Sequence, residues 1–182
     1  RGRAGQARQP PRSGSVRLAA DFGAGCGIIG LALLFQGIAS RVIFVELQPT
    51  LAELGVRNLA INRLDRRGSV LHADLRRTPL AKESLGMIIS NPPYIAENAA
   101  LPPEVSEYDP AIALFAGQDG GDAYRALLPH CARISHEKTQ LFLEIGEGQD
   151  AIVKNIAQKD GWQFSKSYKD LAGITRCLRF TR

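Results

Sequence analysis

What this chain lacks sets its limits. No apolar run approaches the roughly twenty residues that a bilayer-crossing helix needs, and no shorter secretory hydrophobic stretch is present. Its three cysteines, Cys26, Cys131 and Cys177, are odd in number and widely spaced. That excludes a disulfide framework, a zinc knot and a redox pair, and leaves small buried residues in a reducing interior. The three histidines, His72, His130 and His136, have no ligand spacing, so no metal is expected. No internal repeat and no low-complexity tract interrupts the main body. The single methionine is Met87 and the first residue is arginine, which reads as a fragment of a longer product.

Charge of one sign is missing twice. Residues 1–20 contain five arginines and no acid, so the other 18 basic residues face all 18 acids in the rest of the chain. The net charge of +5 therefore belongs to the amino-terminal end. Its Gly, Gln, Pro, Arg and Ser composition marks residues 1–15 as a disordered basic tail or linker, and the same composition describes organelle transit peptides. A cytoplasmic or organelle-matrix setting follows. Conversely, no Lys or Arg occurs between Glu83 and Tyr124, a stretch that holds seven acids: Glu83, Glu97, Glu104, Glu107, Asp109, Asp119 and Asp122. An acidic rim there would repel phosphate and suit a cationic partner; an ordinary solvated loop would look the same. Basic residues gather earlier, at Arg63, Arg66, Arg67, Arg76 and Arg77.

What is present is one domain of 45% hydrophobic residues over 16–182. Apolar runs at 16–22, 41–46, 69–72, 86–90 and 140–145 read as buried strands. Amphipathic stretches at 28–36, 50–62, 120–134 and 150–159 read as helices, with Pro49 near the second start. Residues 164–169 and 175–181 close the chain as an antiparallel pair. Strands alternating with helices predict an α/β fold: a doubly wound, mostly parallel seven-stranded sheet with an antiparallel carboxyl-terminal pair.

Three motifs carry chemistry. Gly23, Gly25 and Gly27 follow the first strand, where glycine permits a tight turn and the next helix offers free N–H groups. The Gly-x-Gly-x-Gly spacing departs from the pyrophosphate cradle Gly-x-Gly-x-x-Gly and suits a nucleoside without phosphates; alone it is a weak signal. Asp21 precedes it, badly placed for a phosphate and near enough for a water-mediated ammonium contact. Glu46 ends the second strand nineteen residues after Gly27, where an acid holds ribose hydroxyls in dinucleotide-binding folds. Asp74, after the third strand, is placed to meet an adenine edge.

The third motif is Asn91-Pro92-Pro93-Tyr94, directly after the fourth strand. Two prolines lock φ and remove two N–H donors, and Asn91, preceding proline, is pushed into an extended conformation. The result is a stiff corner rich in acceptors and followed by an aromatic ring. It suits a planar group bearing N–H atoms, with one hydrogen on the Asn91 side chain and one on the Pro92 carbonyl. A merely rigid turn is the bland alternative. Glu144 and Gln149 are candidates for the pocket floor, and Trp162 for the core.

In this order, the Asp21–Gly27 turn, Glu46, Asp74 and the Asn-Pro-Pro-Tyr tetrad resemble the class I S-adenosylmethionine-dependent methyltransferases. The tetrad occurs in enzymes that methylate an exocyclic adenine nitrogen and in those that methylate a glutamine amide. Pro103-Glu104-Val105, Tyr108-Asp109-Pro110, Ala113-Leu114-Phe115-Ala116-Gly117, 119–125, 143–149 and 170–176 are similar to the HemK/PrmC family of release-factor glutamine methyltransferases. The resemblance spans about residues 16–182 and implies Asn91, Pro92 and Tyr94 as catalytic. It implies Asp21, Gly23, Gly25, Gly27, Glu46, Asp74 and Asn91 as cofactor-binding, S-adenosylmethionine as cofactor, and a peptide chain release factor as partner. Only fifteen residues precede the first strand, whereas that family usually carries an amino-terminal helical domain. Ile28-Ile29-Gly30-Leu31 looks closer to some transfer-RNA adenine methyltransferases. N6-adenine methylation of tRNA, rRNA or DNA stays open, with the basic tail and the Arg63–Arg77 cluster on phosphate. So does a non-catalytic scaffold that binds cofactor and partner.

Overall fold

The computed structural model describes residues 14–96 and 116–182. Seven strands form one sheet in the order β3-β2-β1-β4-β5-β7-β6. They are β1 (Val16–Phe22), β2 (Ala39–Glu46), β3 (Gly68–His72), β4 (Leu85–Ser90), β5 (Ser135–Glu144), β6 (Gln163–Lys169) and β7 (Thr175–Thr181). The first five pair in parallel, and β7 runs antiparallel between β5 and β6. Among the described residues four α-helices accompany them: α1 (Ile28–Phe35), α2 (Pro49–Ile61), α3 (Asp122–Ile134) and α4 (Asp150–Lys159).

The strands alternate between two cores because both sheet faces are covered. On one face, Leu31, Leu34 and Leu59 of α1 and α2 pack on Val42, Phe44 and Met87. On the other, Leu127, Leu128 and Ile134 of α3 and Val153 and Ile156 of α4 pack on Ile88, Leu141, Leu143, Leu178 and Phe180. Trp162 and Cys131 belong to this second core, as the sequence predicts, while Cys26 and Cys177 are only partly buried. No helix of the described residues is long and apolar enough to cross a membrane.

β2 begins at Ala39 rather than at residue 41, several ends shift by one residue, and two further boundaries depart for a visible physical reason. β5 begins at Ser135 rather than near residue 140. Its first half is held by a hydroxyl rather than by apolar alternation: buried Thr139 donates to the Leu85 carbonyl at 2.6 Å and accepts from the His136 N–H at 2.9 Å. The β4–β5 register shifts there, which hides the strand from period counting. α3 starts at Asp122 rather than at residue 120, because Asp119 Oδ1 takes the Gly121 N–H at 2.9 Å in a turn that closes before the helix opens.

The order of strands reverses between β1 and β4, and there their carboxyl ends meet. Phe22 is paired with Ser90, whose hydroxyl donates to the Phe22 carbonyl at 2.7 Å. In open α/β sheets the crevice at such a reversal is where ligands bind.

Candidate active site

The segment after β1 is the glycine turn. Gly23, Gly25 and Gly27 all adopt positive φ (70°, 56° and 88°), a conformation a side chain would make costly. The Gly23 and Ala24 amides both donate to the Val45 carbonyl, which ties the turn to the end of β2. From α2, the Asn58 amide donates to the Cys26 carbonyl at 2.8 Å and pins the far side. Nothing in the sequence pattern singled out Asn58, since an Asn on a helix face reads as solvated.

Glu46 stands beside this turn, 7% exposed. Its two carboxylate oxygens accept separate backbone amides, Gly25 at 2.7 Å and Gln48 at 2.8 Å. Each oxygen keeps a lone pair for a further donor. Gln48 was not foreseen; the signal available was its position two residues beyond an acid, where its amide completes a turn.

A cleft of about 180 Å³ opens here. It is lined by Gly23 and Gly25 of the glycine turn, by Val45, Glu46, Leu47, Gln48 and Leu51 at and beyond the end of β2, by Ala73 and Leu75 after β3, and by Asn91 and Pro93 after β4. Thus the structure brings together Gly23, Gly25, Glu46 and Asn91, which lie far apart in sequence. Among the described residues no lysine or arginine lines it.

Other expected residues sit around the cleft rather than in its wall. Asp21 is 1% exposed and turns under α1, where Oδ2 accepts the Gly30 amide at 2.9 Å. Burial pushes its carboxyl up to about 6, against the opposing pull of the Gly30 amide and with a smaller push from Glu46. Gly27 caps α1, and a side chain there would meet the Phe44 ring. Asp74, flanked by the lining residues Ala73 and Leu75, caps the short 3₁₀ turn Leu75–Arg77 and pairs with Arg76, whose side chain holds its carboxyl below the usual range.

At the corner, Asn91 is exposed, Pro92 buried and Tyr94 half-buried against the α3–α4 core. Burial, and then the charge of Glu144, raises the Tyr94 hydroxyl above its ordinary value. The Tyr94 carbonyl accepts the Gln149 side-chain amide at 2.7 Å, and the Ile95 carbonyl accepts the Ala116 amide at 2.8 Å. Glu144 does not line the cleft. It belongs to a separate apolar groove with Ile29, Met87, Phe142 and Cys177.

The charge asymmetries also resolve in part. Asp119 and Asp122 both pair with Arg125, one residue beyond the lysine- and arginine-free stretch. Glu97, Glu104, Glu107 and Asp109, with the 103–110 and 113–115 motifs, lie outside the described residues. Of the basic cluster, Arg67 donates to the Ala39 and Ser40 carbonyls and Arg76 pairs with Asp74, so two of its charges serve the fold.

A seven-stranded sheet with β7 inserted antiparallel, and a glycine turn, a strand-end acid and an Asn-Pro-Pro corner around one cleft, define the class I methyltransferase architecture. The ribosomal protein L11 methylase of Lactobacillus delbrueckii superposes with a TM-score of 0.66 at 15% identity, covering 92% of this chain and 70% of that one. Residues 10–106, more than half of the chain, match the family "Methyltransferase small domain". This chain belongs to that family. It is 34% identical over 173 residues to the release factor glutamine methyltransferase of Geobacter sulfurreducens, covering 94% of this chain and 59% of that relative. To a bifunctional methyltransferase of Rickettsia felis it is 30% identical over 163 residues, covering 88% of this chain and 31% of the relative. The chain spans about half the length, or less, of the curated relatives it matches.

Proposed function

We propose that this chain is the catalytic domain of a protein-glutamine N5-methyltransferase that modifies a peptide chain release factor, with S-adenosylmethionine as methyl donor. The observation that carries this reading is the placing of Asn91 and Pro93 in the same cleft wall system as Glu46 and Gly25. The residues fit the cofactor. Glu46 retains acceptor capacity for ribose hydroxyls after binding two backbone amides. Leu47, Leu51, Ala73 and Leu75 offer apolar surface to a base, and among the described residues the lining has no cation for a phosphate. Asp74, beside that surface, is the candidate for the adenine amine. Asp21 supports the turn from beneath.

When bound, S-adenosylmethionine supplies a methyl carbon made electrophilic by its sulfonium. The protein's task is the other reactant. An amide nitrogen is a poor nucleophile because its lone pair is shared with the carbonyl. Asn91 Oδ1 and the Pro92 carbonyl accept its two hydrogens, hold the nitrogen toward the methyl carbon and favour positive charge developing on it. Bound there, the sulfonium would give up its methyl group to the nitrogen and leave as a neutral thioether, and the surplus proton would pass to water. Tyr94 packs on the planar amide.

The relatives' names support glutamine over adenine, and so does the internal use of Arg67 and Arg76, which removes two cations from a phosphate-binding patch. The test is incubation with labelled S-adenosylmethionine and two acceptors, a release factor and transfer RNA. Label is expected on one glutamine of the release factor. Label on the RNA, or steeply salt-dependent binding of it, would move the assignment to adenine; cofactor binding with no transfer to either would leave a scaffold.

A further inference from the structure

The corner that would hold the substrate nitrogen is short of its own supports. Pro92 and Pro93 donate no hydrogen bond, so nothing inside the tetrad fixes the next peptide unit. One residue supplies the missing brace. Gln149 lies between β5 and α4, fifty-five residues from Tyr94. Its side-chain Nε2 donates to the Tyr94 carbonyl at 2.7 Å, while Oε1 accepts the Gly146 amide at 3.0 Å. Its own backbone is fixed at both ends. The Gln149 N–H donates to the Gly146 carbonyl at 3.2 Å, and its carbonyl accepts the Val153 N–H at 3.0 Å in the first turn of α4. Both ends of the side-chain amide are thus committed, and neither is free to turn.

Two glycines make room for this strut. At Gly120, with φ of 71°, a Cβ would come within 2.3 Å of the Tyr94 carbonyl oxygen and 2.4 Å of Gln149 Nε2. At Gly146 a Cβ would come within 2.9 Å of Gln149 Oε1 and 3.0 Å of Tyr94 Cδ2. A second tie follows, from the Ala116 amide to the Ile95 carbonyl, and Ala116 in turn accepts the Asp122 amide at the start of α3. The corner is therefore braced against the first turns of two helices on one side of the sheet.

We infer that Gln149 is a positioning residue, its side-chain amide setting the Tyr94 peptide and through it the pose of Asn91 and Pro92. This rests on the proposed role of that tetrad as the reaction corner. Misplacement of reacting groups by about an ångström costs on the order of 100-fold in rate. A carboxylate in place of the amide keeps the acceptor for Gly146 but turns an acceptor toward the Tyr94 carbonyl, which repels it.

The test is Gln149→Glu, with Gln149→Leu as a second variant that loses both bonds. Three quantities are read: kcat and KM with a release factor, the Kd of S-adenosylhomocysteine by calorimetry, and hydrogen exchange of the Ala116 amide by NMR. Gln149→Glu is expected to lower kcat about 10- to 100-fold, to leave Kd within two-fold, and to speed Ala116 exchange at least ten-fold while exchange in β1 and β4 is unchanged. Gln149→Leu should reproduce this and also expose the Gly146 amide. Wild-type exchange at Ala116 would overturn the strut. Faster exchange with wild-type kcat would overturn its part in positioning, and an equal loss in cofactor affinity would mean it acts through the cleft. If the unmodified protein methylates no release factor, the proposed function fails, and the strut is still judged by Ala116.

Discussion

The Glu46 carboxylate is bonded to the Gly25 amide at 2.7 Å, so the acid at the end of β2 and the glycine turn after β1 form one piece. A charged acceptor on a backbone amide is worth more than a neutral one. Here it does two things at once. It holds a turn whose positive φ angles have no intrinsic preference for one shape, and it fixes the carboxylate in the cleft wall before any ligand arrives. Preorganisation of this kind lowers the ordering cost of binding.

Replacing Glu46 should therefore hurt affinity twice. Glu46→Gln keeps one acceptor but loses the charge, and Glu46→Ala loses both amide bonds. Charge-assisted hydrogen bonds contribute about 1.5–3 kcal/mol each. Glu46→Ala is expected to weaken S-adenosylhomocysteine binding by about 100-fold, and Glu46→Gln by roughly 10-fold. Calorimetric titration checks this, and unchanged affinity in Glu46→Ala would contradict the ribose assignment.

Asn91 is expected to separate binding from turnover. Its side chain is exposed at the cleft wall and makes no side-chain hydrogen bond among the described residues. Asn91→Ala should reduce methyl transfer by about 100- to 1000-fold, the scale on which an acceptor or donor aligned with the transition state acts. Cofactor affinity should stay within a few-fold. Radiolabel transfer measured beside calorimetry distinguishes the two, and an active Asn91→Ala protein would remove the corner from the chemistry.

How much of this was legible in the sequence depends on what each residue does. Strands β1, β2 and β4 are legible because both sheet faces are covered and apolar residues dominate them, with Arg17, Asp21, Arg41 and Glu46 as the charged exceptions. That Gly23, Gly25, Glu46 and Asn91 would gather at one edge of the sheet is legible because strand ends and turns restrict which residue types fit. The Ser135–Thr139 half of β5 was not, because Thr139 replaces apolar alternation with hydroxyl bonds. Asp21 and Asp74 also hold partners within the fold, the Gly30 amide for one and the Arg76 amide and side chain for the other, contacts that no spacing rule reveals. Asn58 was invisible for the same reason: its partner, the Cys26 carbonyl, lies thirty-two residues away.

Tyr94 allows ring and hydroxyl to be told apart. The ring packs on the core, and a Cβ at Gly146 would come within 3.0 Å of its Cδ2. If the ring stacks on the substrate amide, Tyr94→Phe retains activity within about three-fold. Tyr94→Ala then raises KM or lowers kcat/KM by about 10- to 100-fold, matching the 1–3 kcal/mol that stacking contributes in nucleic-acid systems. A Tyr94→Phe variant as impaired as Tyr94→Ala would assign the work to the hydroxyl instead. Steady-state kinetics with a release factor supply the comparison.

Asp21 makes stability depend on pH in a direction opposite to that of a paired surface carboxylate. Burial under α1 raises its folded-state value to about 6 from 3.8. Below pH 4 the group is protonated whether the chain is folded or not, and contributes no pH dependence. Between about pH 4 and 6 the unfolded chain releases the proton while the folded one keeps it, so the unfolded state is favoured progressively. The full difference is on the order of 3 kcal/mol above pH 6. Asp21→Asn retains an oxygen for the Gly30 amide and removes the ionisation. The variant should therefore lose this falling limb between pH 4 and 6 and be more stable than the native protein at pH 7. Because the carboxylate faces α1 and not the cleft, cofactor affinity should stay within a few-fold. Urea unfolding at pH 4, 5, 6 and 7 measures the slope directly. Parallel curves for the two proteins would show that Asp21 ionises alike in the folded and unfolded chain.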